Sequence, residues 1–248
     1  MTNAEALQLT YYRDTAEQYD EWHTLRFDEH HFALEHIVFY LKWIGATSVL
    51  DTGCGTGRSM RYIQDRLPGI VLRGNDPSEE LLNAAVDRRG ISRDVLDCAS
   101  TLELPYTDAA FDAVVETGIL HHVADPARAV AEMLRVSRKA VFLSDSNIYG
   151  QGSPLGRIAK LALARFHLLK PINWIRRGGR DWYYSAGDGV AFSYSVFDSY
   201  QAVESACAEV VVIPTSREQG SGGSPLLFSS HCLLCGFKDV LPLPGAHP

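Results

Sequence analysis

The 248-residue chain has no apolar run of the ~18 residues that a membrane-spanning helix needs, so no span is expected. It has no excess of positive charge either. Against 30 Asp and Glu stand 23 Lys and Arg, a formal net charge of −7. A body of that sign is not built to wrap a polyanion, so no nucleic-acid partner is expected. An Asn/Asp-Pro-Pro-aromatic run, the kind of signature a base-flipping enzyme carries, is also missing. The opening "MTNAEALQLTYYRDTAEQYDEW" lacks the cationic start and apolar stretch of a signal peptide. Cysteines are few, odd in number and irregularly spaced: Cys54, Cys98, Cys207, Cys232 and Cys235. That excludes a regular disulfide framework and suits reduced thiols in a cytoplasm, where the protein is expected as a monomer or homodimer. Repeats and low-complexity tracts are absent.

What is present is alternation. Short β-branched or apolar runs, "TSVLD" (47–51), "IVLRGND" (70–76), "RDVLD" (93–97), "FDAVVE" (111–116) and "AVFLSD" (140–145), read as strands. Helical patterns at 57–67, behind Ser78 as N-cap, and from Pro126 to Val136 separate them, and helices over 4–21 and 28–44 precede them. Such alternation predicts a doubly wound α/β sheet, Rossmann-like and mostly parallel. Two late runs, 208–215 and 225–237, have a Gly/Ser-rich turn and no helix between them. They are expected as an antiparallel pair at the edge, which brings the sheet to seven strands.

The loop "VLDTGCGTGRS" (49–59) follows the first strand. Its glycines are Gly53, Gly55 and Gly57. A dinucleotide fingerprint, G-x-G-x-x-G, would require glycine where Arg58 stands, and a P-loop would require Gly-Lys-Ser/Thr. The loop instead lets backbone N–H groups and a helix start face a small polar ligand bearing a carboxylate. Asp76, at the end of the next strand, can accept both hydroxyls of a ribose.

Taken together, "VLDTGCGTG", "GNDPS" and "LPYTDAAFDAVVETGILHHVADP" resemble the class I S-adenosylmethionine-dependent methyltransferases. The branch is the small-molecule group with a Leu-His-His run after the fourth strand. The resemblance covers residues 45–145 strongly, and implies S-adenosylmethionine as cofactor, S-adenosylhomocysteine as product, and no metal. It implies that Gly53, Cys54, Gly55 and Gly57 line the amino-acid end of the cofactor and that Asp51 stands near its ammonium group. Asp76 and Pro77 would hold the ribose, and Asp97 with Cys98 would face the adenine, with Ser100 the alternative by spacing. Glu116, Thr117 and Gly118 would run past the methionine part, and Tyr19 would close over it. The implied organisation is one methyltransferase domain over 1–248. Within it lie a helical lid (1–44), a cofactor-binding core (45–149), an inserted substrate cap (150–195) and the last part of the sheet (196–248).

The implied reaction is methyl transfer to a small-molecule acceptor, foremost at a hydroxyl. N- or C-methylation, or a non-catalytic cofactor-binding subunit, remain open at this point. A hydroxyl acceptor benefits from a base; the candidates are His121, His122 and Asp145. "CLLC" (232–235) has half-zinc-site spacing, but along a strand its cysteines point to opposite faces. Between 150 and 180 stand seven Lys or Arg and no acid, leaving 16 basic against 30 acidic residues, a net −14, elsewhere. Residues 154–170 read as one amphipathic helix ended before Pro171. The segment admits three readings: contacts to an anionic acceptor, a solvated face, or docking on an anionic membrane. Arg157, Lys160, Trp182, Tyr183 and Tyr184 are its candidate substrate contacts.

Overall fold

The computed structural model describes residues 3–16, 27–216 and 224–241. Its centre is a sheet of β1 (Ser48–Thr52), β2 (Val71–Asp76), β3 (Leu96–Cys98), β4 (Phe111–Thr117), β5 (Ser137–Ser146), β8 (Glu209–Pro214) and β9 (His231–Phe237). The order is β3-β2-β1-β4-β5-β9-β8. β1 to β5 run parallel, and β9 runs antiparallel to both β5 and β8. The seven-stranded Rossmann-like sheet expected from the alternation is therefore present.

The pleat explains the core. Val49, Ala113, Val115 and Phe142 point to one face, under α2 (Glu29–Trp43), α3 (Arg58–Arg66) and α4 (Glu79–Arg89). Their neighbours Leu50, Val114, Val141 and Leu143 point to the other, under α5 (Pro126–Val136) and α8 (Tyr200–Ala206). Both faces are dry, so the strands read as continuous apolar runs. Cys232 and Cys235 fall in opposite layers, as the period of two requires. Caps match the sequence: Ser78 Oγ accepts from Leu81 N–H, and Asp125 accepts from Arg128 N–H ahead of Pro126.

Three expectations on the elements are corrected. The segment 154–170 is two helices, α6 (Pro154–Arg165) and α7 (Leu169–Arg176), split at His167, whose φ is +57°. Pro171 lies inside the first turn of α7, where its missing N–H leaves no bond unmade. The last strand starts at His231, because Pro225 opens a one-turn helix, α9 (Pro225–Phe228), in the connection read as helix-free. The run at 93–97 is mostly a 3-10 turn, and only Leu96–Cys98 pair with β2. Between α7 and α8 a hairpin, β6 (Trp182–Ser185) with β7 (Gly189–Phe192), stands apart from the sheet. It packs on α1 (Asn3–Thr15), where Gln8 Oε1 accepts from Val190 N–H at 2.5 Å.

Candidate active site

The chain leaves β1 for β2 and β3 on one side, then returns to β4 and β5 on the other. At that switch point the carboxyl ends of the strands splay and leave a crevice. The glycine loop fills the turn after β1. Gly53, Gly55 and Gly57 have φ of +67°, +52° and +77°, a region that favours glycine. A Cβ on Gly53 would stand 2.5 Å from Ile119 Cγ2, whereas one on Gly55 would meet nothing within 4 Å. The Gly55 side of the loop is thus kept bare toward the crevice.

Two lobes of one cleft meet at Gly53, Asp76, Ile119, Tyr12 and His122. The first runs past Pro77, Ser100, Thr101 and Leu102, roofed by Glu5, Gln8 and Leu9 of α1. The second runs past Gly55, Ser59, Thr117 and Gly118 to His30, His121 and Asp188. Asp76 is 4% exposed; its oxygens accept from Gly55 N–H at 3.0 Å and Ser78 N–H at 2.9 Å. Burial pushes it up to about 6. A carboxylate has about four acceptor sites, so two remain for hydroxyl donors.

Beneath the loop lies Asp51, 1% exposed, and neither of its oxygens makes a hydrogen bond of ordinary geometry. Burial, then the charge of Asp76, raise it to about 8, against a weaker pull from the Met60 amide. Glu116 is fully buried as well; one oxygen accepts from Ile119 N–H at 3.1 Å and the other has no partner. Burial, then the charge of Asp145, hold it well above the usual range. Buried carboxylates without partners are costly. Asp51 and one oxygen of Glu116 keep unused acceptor capacity near the glycine loop, a place that suits a positive group such as an amino-acid ammonium.

The second lobe also holds a cluster of histidines and carboxylates, of which His122 lines both lobes. His121 and His122 lie in a 3-10 turn after β4, with ring centroids 4.0 Å apart. His121 Nδ1 meets Asp145 Oδ1 at 2.7 Å, and its Nε2 lies 3.6 Å from Asp188 Oδ2. Burial alone would lower His121, but the carboxylates of Asp145 and Asp188 outweigh it and raise the imidazole well above its usual value. Asp145 is fully buried and accepts from the N–H groups of His121 and Ser146 as well. Despite burial, His121 holds it down to about 2. His122 Nδ1 sits 2.6 Å from the carbonyl of Val190, and its Nε2 lies 3.5 Å from Asp188 Oδ1. A carbonyl only accepts, so His122 Nδ1 donates to Val190, and Nε2 is the ring nitrogen left facing Asp188 and the cleft. His121, His122 and Asp188 each offer a ligand atom, and these lie within 4.8 Å of one another, near enough for one metal ion.

The structure separates several of the expected residues from the site. Asp97 does not line the cleft; it accepts from Arg73 in a bidentate pair and from Tyr106 Oη at 2.7 Å, on the sheet edge. The polar group at that place is Ser100, the alternative by spacing. Cys98 is exposed, its Sγ 3.7 Å from the Pro77 carbonyl. Arg157 donates to the carbonyls of Gly152 and Leu227, and Lys160 to those of Ile148 and Gln151. Neither lines either lobe, and neither do Trp182, Tyr183 or Tyr184. Tyr19 lies outside the described residues; the tyrosine over the cleft among them is Tyr12, whose ring centroid is 6.4 Å from that of His122. Sequence reading missed Tyr12, His30 and Asp188. The "AGDG" turn of the β6–β7 hairpin carries Asp188, but an acid in a turn is ordinary and signals nothing by itself.

Residues 50–143 match the family model described as a methyltransferase domain. Residues 50–143 thus carry a methyltransferase domain, set in a sheet with the strand order of the class I, S-adenosylmethionine-dependent methyltransferases. Among curated relatives, Methyltransferase GfsG of Streptomyces halstedii is 32% identical over 109 residues, 42% of this chain and 39% of that protein. Phosphatidylethanolamine N-methyltransferase of Cereibacter sphaeroides is 35% identical over 123 residues, 48% and 59% of the two chains. The match to this methyltransferase domain therefore spans about two-fifths to three-fifths of these relatives. Among solved structures, magnesium protoporphyrin IX methyltransferase from Synechocystis PCC 6803 with bound S-adenosylhomocysteine superposes with a TM-score of 0.60. It is 15% identical and aligned over 96% of this chain and 100% of that one, a likeness of fold alone.

Proposed function

We propose that the chain transfers a methyl group from S-adenosylmethionine to a hydroxyl of a small molecule. The observation that carries this reading is one continuous cleft. Its lining brings the carboxylate of Asp76 and the bare Gly55 together with a histidine, His122, that has its own carboxylate in Asp188. The cofactor supplies a methyl already activated on a sulfonium. The remaining work is positional: hold a nucleophile in line, take its proton, and keep water out.

Each task has a residue. Asp76 accepts the ribose hydroxyls, Ser100 stands at the adenine end, and Asp51 and Glu116 offset the ammonium. Tyr12 and α1 roof the cleft. His122 Nε2 takes the proton of the acceptor hydroxyl, and Asp188 stabilises the imidazolium that results, by the logic of a base and its orienting acid. Asp145 is a positioning residue: it fixes His121 as an imidazolium beside that base and does not itself reach the cleft. Oxygen is favoured over carbon or a free amine because a proton acceptor is provided where the methyl is delivered. Turnover is measured with radiolabelled S-adenosylmethionine and a panel of hydroxylated metabolites. Products methylated only at nitrogen or carbon would overturn the choice of oxygen.

His121 pairs with Asp145 and His122 faces Asp188, so the proposed proton transfer uses these side chains alone and no metal. Chelation with EDTA should therefore leave the rate unchanged; a loss restored by a divalent ion would refute this. Acidification supplies a second check. Asp76 titrates near 6 and Asp51 near 8 in the free protein, and both are required as carboxylates in the complex. Raised values mean that the protonated forms dominate at low pH, so binding must displace protons there. The affinity for S-adenosylhomocysteine should fall from pH 7.5 to pH 5, by about tenfold per unit between 7.5 and 6, where Asp51 alone is protonated, and more steeply, toward a hundredfold per unit, below 6, where Asp76 is protonated too. Calorimetry across that range would contradict the assignment if affinity stayed flat.

A further inference from the structure

The seven cations of residues 150–180 do not serve the cleft, and the helices that carry them are turned the wrong way for a core. No residue of α6 is buried. Its apolar stripe, Leu155, Ile158 and Phe166, recurs on one face, and that face is the outward one: Leu155 is 81% and Phe166 71% exposed. On α7, Trp174 and Ile175 are exposed too, Ile175 at 69%. Arg165, Lys170, Arg176 and Arg180 are exposed among them. An outward apolar patch of this kind marks an interaction surface.

We infer that α6 and α7 dock the protein on an anionic lipid bilayer, with the aliphatic and aromatic side chains entering the headgroup boundary and the Arg and Lys side chains meeting lipid phosphates. A bilayer offers an apolar layer and a negative surface at one place, which is what this face asks for. Trp and Tyr belong at such an interface; Trp174 lies on the patch and Tyr183 next to it, with Arg177 over the Tyr183 ring at 4.7 Å. A second copy of the chain fits worse, since a two-fold contact would set the same cations against each other. The inference does not depend on the reading of the active site. It does set the docking face close to it: Asn173 and Arg177 of the α7 region donate to Ser193 Oγ beside the hairpin whose turn brings Asp188 into the cleft.

The test is sedimentation of the full chain with phosphatidylcholine vesicles, with and without phosphatidylglycerol. Binding should be at least tenfold stronger to the anionic vesicles and should weaken with salt. Phe166→Glu with Ile175→Glu, and separately Arg165→Glu with Arg176→Glu, should each lower it at least tenfold while leaving S-adenosylhomocysteine affinity unchanged. Three results would overturn the inference. One is no binding to anionic vesicles at low salt. Another is undiminished binding by both variants. The third is a wild-type dimer in analytical ultracentrifugation that these substitutions split, which would make the face a contact between copies.

Discussion

Asp76→Ala should weaken S-adenosylhomocysteine binding at least 100-fold. The carboxylate is the one charged acceptor shared by both lobes, and its two free acceptor sites match the two hydroxyls of a ribose. Hydrogen bonds to a charged group contribute roughly 1.5–3 kcal/mol each, so two of them amount to two to four orders of magnitude in affinity. The fold should survive, because Asp76 accepts only two backbone N–H groups and its removal also removes a buried acid. Gly55→Val probes the same lobe from the other side. No heavy atom would meet its Cβ within 4 Å, so the side chain grows into the space that the cofactor is expected to fill. At φ of +52° it also costs about 1–2 kcal/mol of backbone strain. Calorimetric titration of both variants, with melting temperature as the fold control, is the check; wild-type affinity in both would remove the cofactor site from this cleft.

His122→Ala should lower turnover by roughly 10²–10⁴-fold, the range of a general base, and leave cofactor affinity within about twofold. Asp188→Asn should lower it less, because the base remains and only the stabilisation of its charged form is lost. Asp145→Asn should resemble Asp188→Asn, with an added shift in the pH profile as His121 loses its buried partner. These separate outcomes distinguish a base from a scaffold: a purely structural role for His122 would lower melting temperature and turnover together. If His121→Ala slows the reaction more than His122→Ala does, the two histidines have exchanged roles.

What the sequence made legible follows its periodicities. Apolar runs of five to seven residues bounded by glycine, proline and acids located the strands of the parallel part, and the alternation of Val49 with Leu50 or Val114 with Val115 placed both faces in the core. Local chemistry did as well: Ser78, Asp125 and the three glycines each sit in the conformation that their residue type favours. What failed was direction. Arg157 and Lys160 carry the right charge for a substrate, yet their long side chains reach carbonyl groups of neighbouring turns, and nothing in their spacing foretells that. Asp97 differs from Ser100 by three residues: the short β3 pairs Asp97 with β2 and sets it against Arg73, while Ser100 lies in the irregular chain beyond, where no period marks it as the one facing the cleft. Asp188 joins His121 and His122 from 66 or more residues away through a hairpin that only the packing of β7 on α1 puts there. The splitting of 154–170 turned on one left-handed histidine, a conformation no pattern announces.

The most direct test of the central claim is a calorimetric titration of the purified chain with S-adenosylhomocysteine, run beside NADH. Micromolar binding of the first, proton release near pH 7 and no heat from the second is the expected result. Binding of NADH alone, or of neither, would contradict the reading of the glycine loop, and with it the roles given to Asp76, His122 and Asp188.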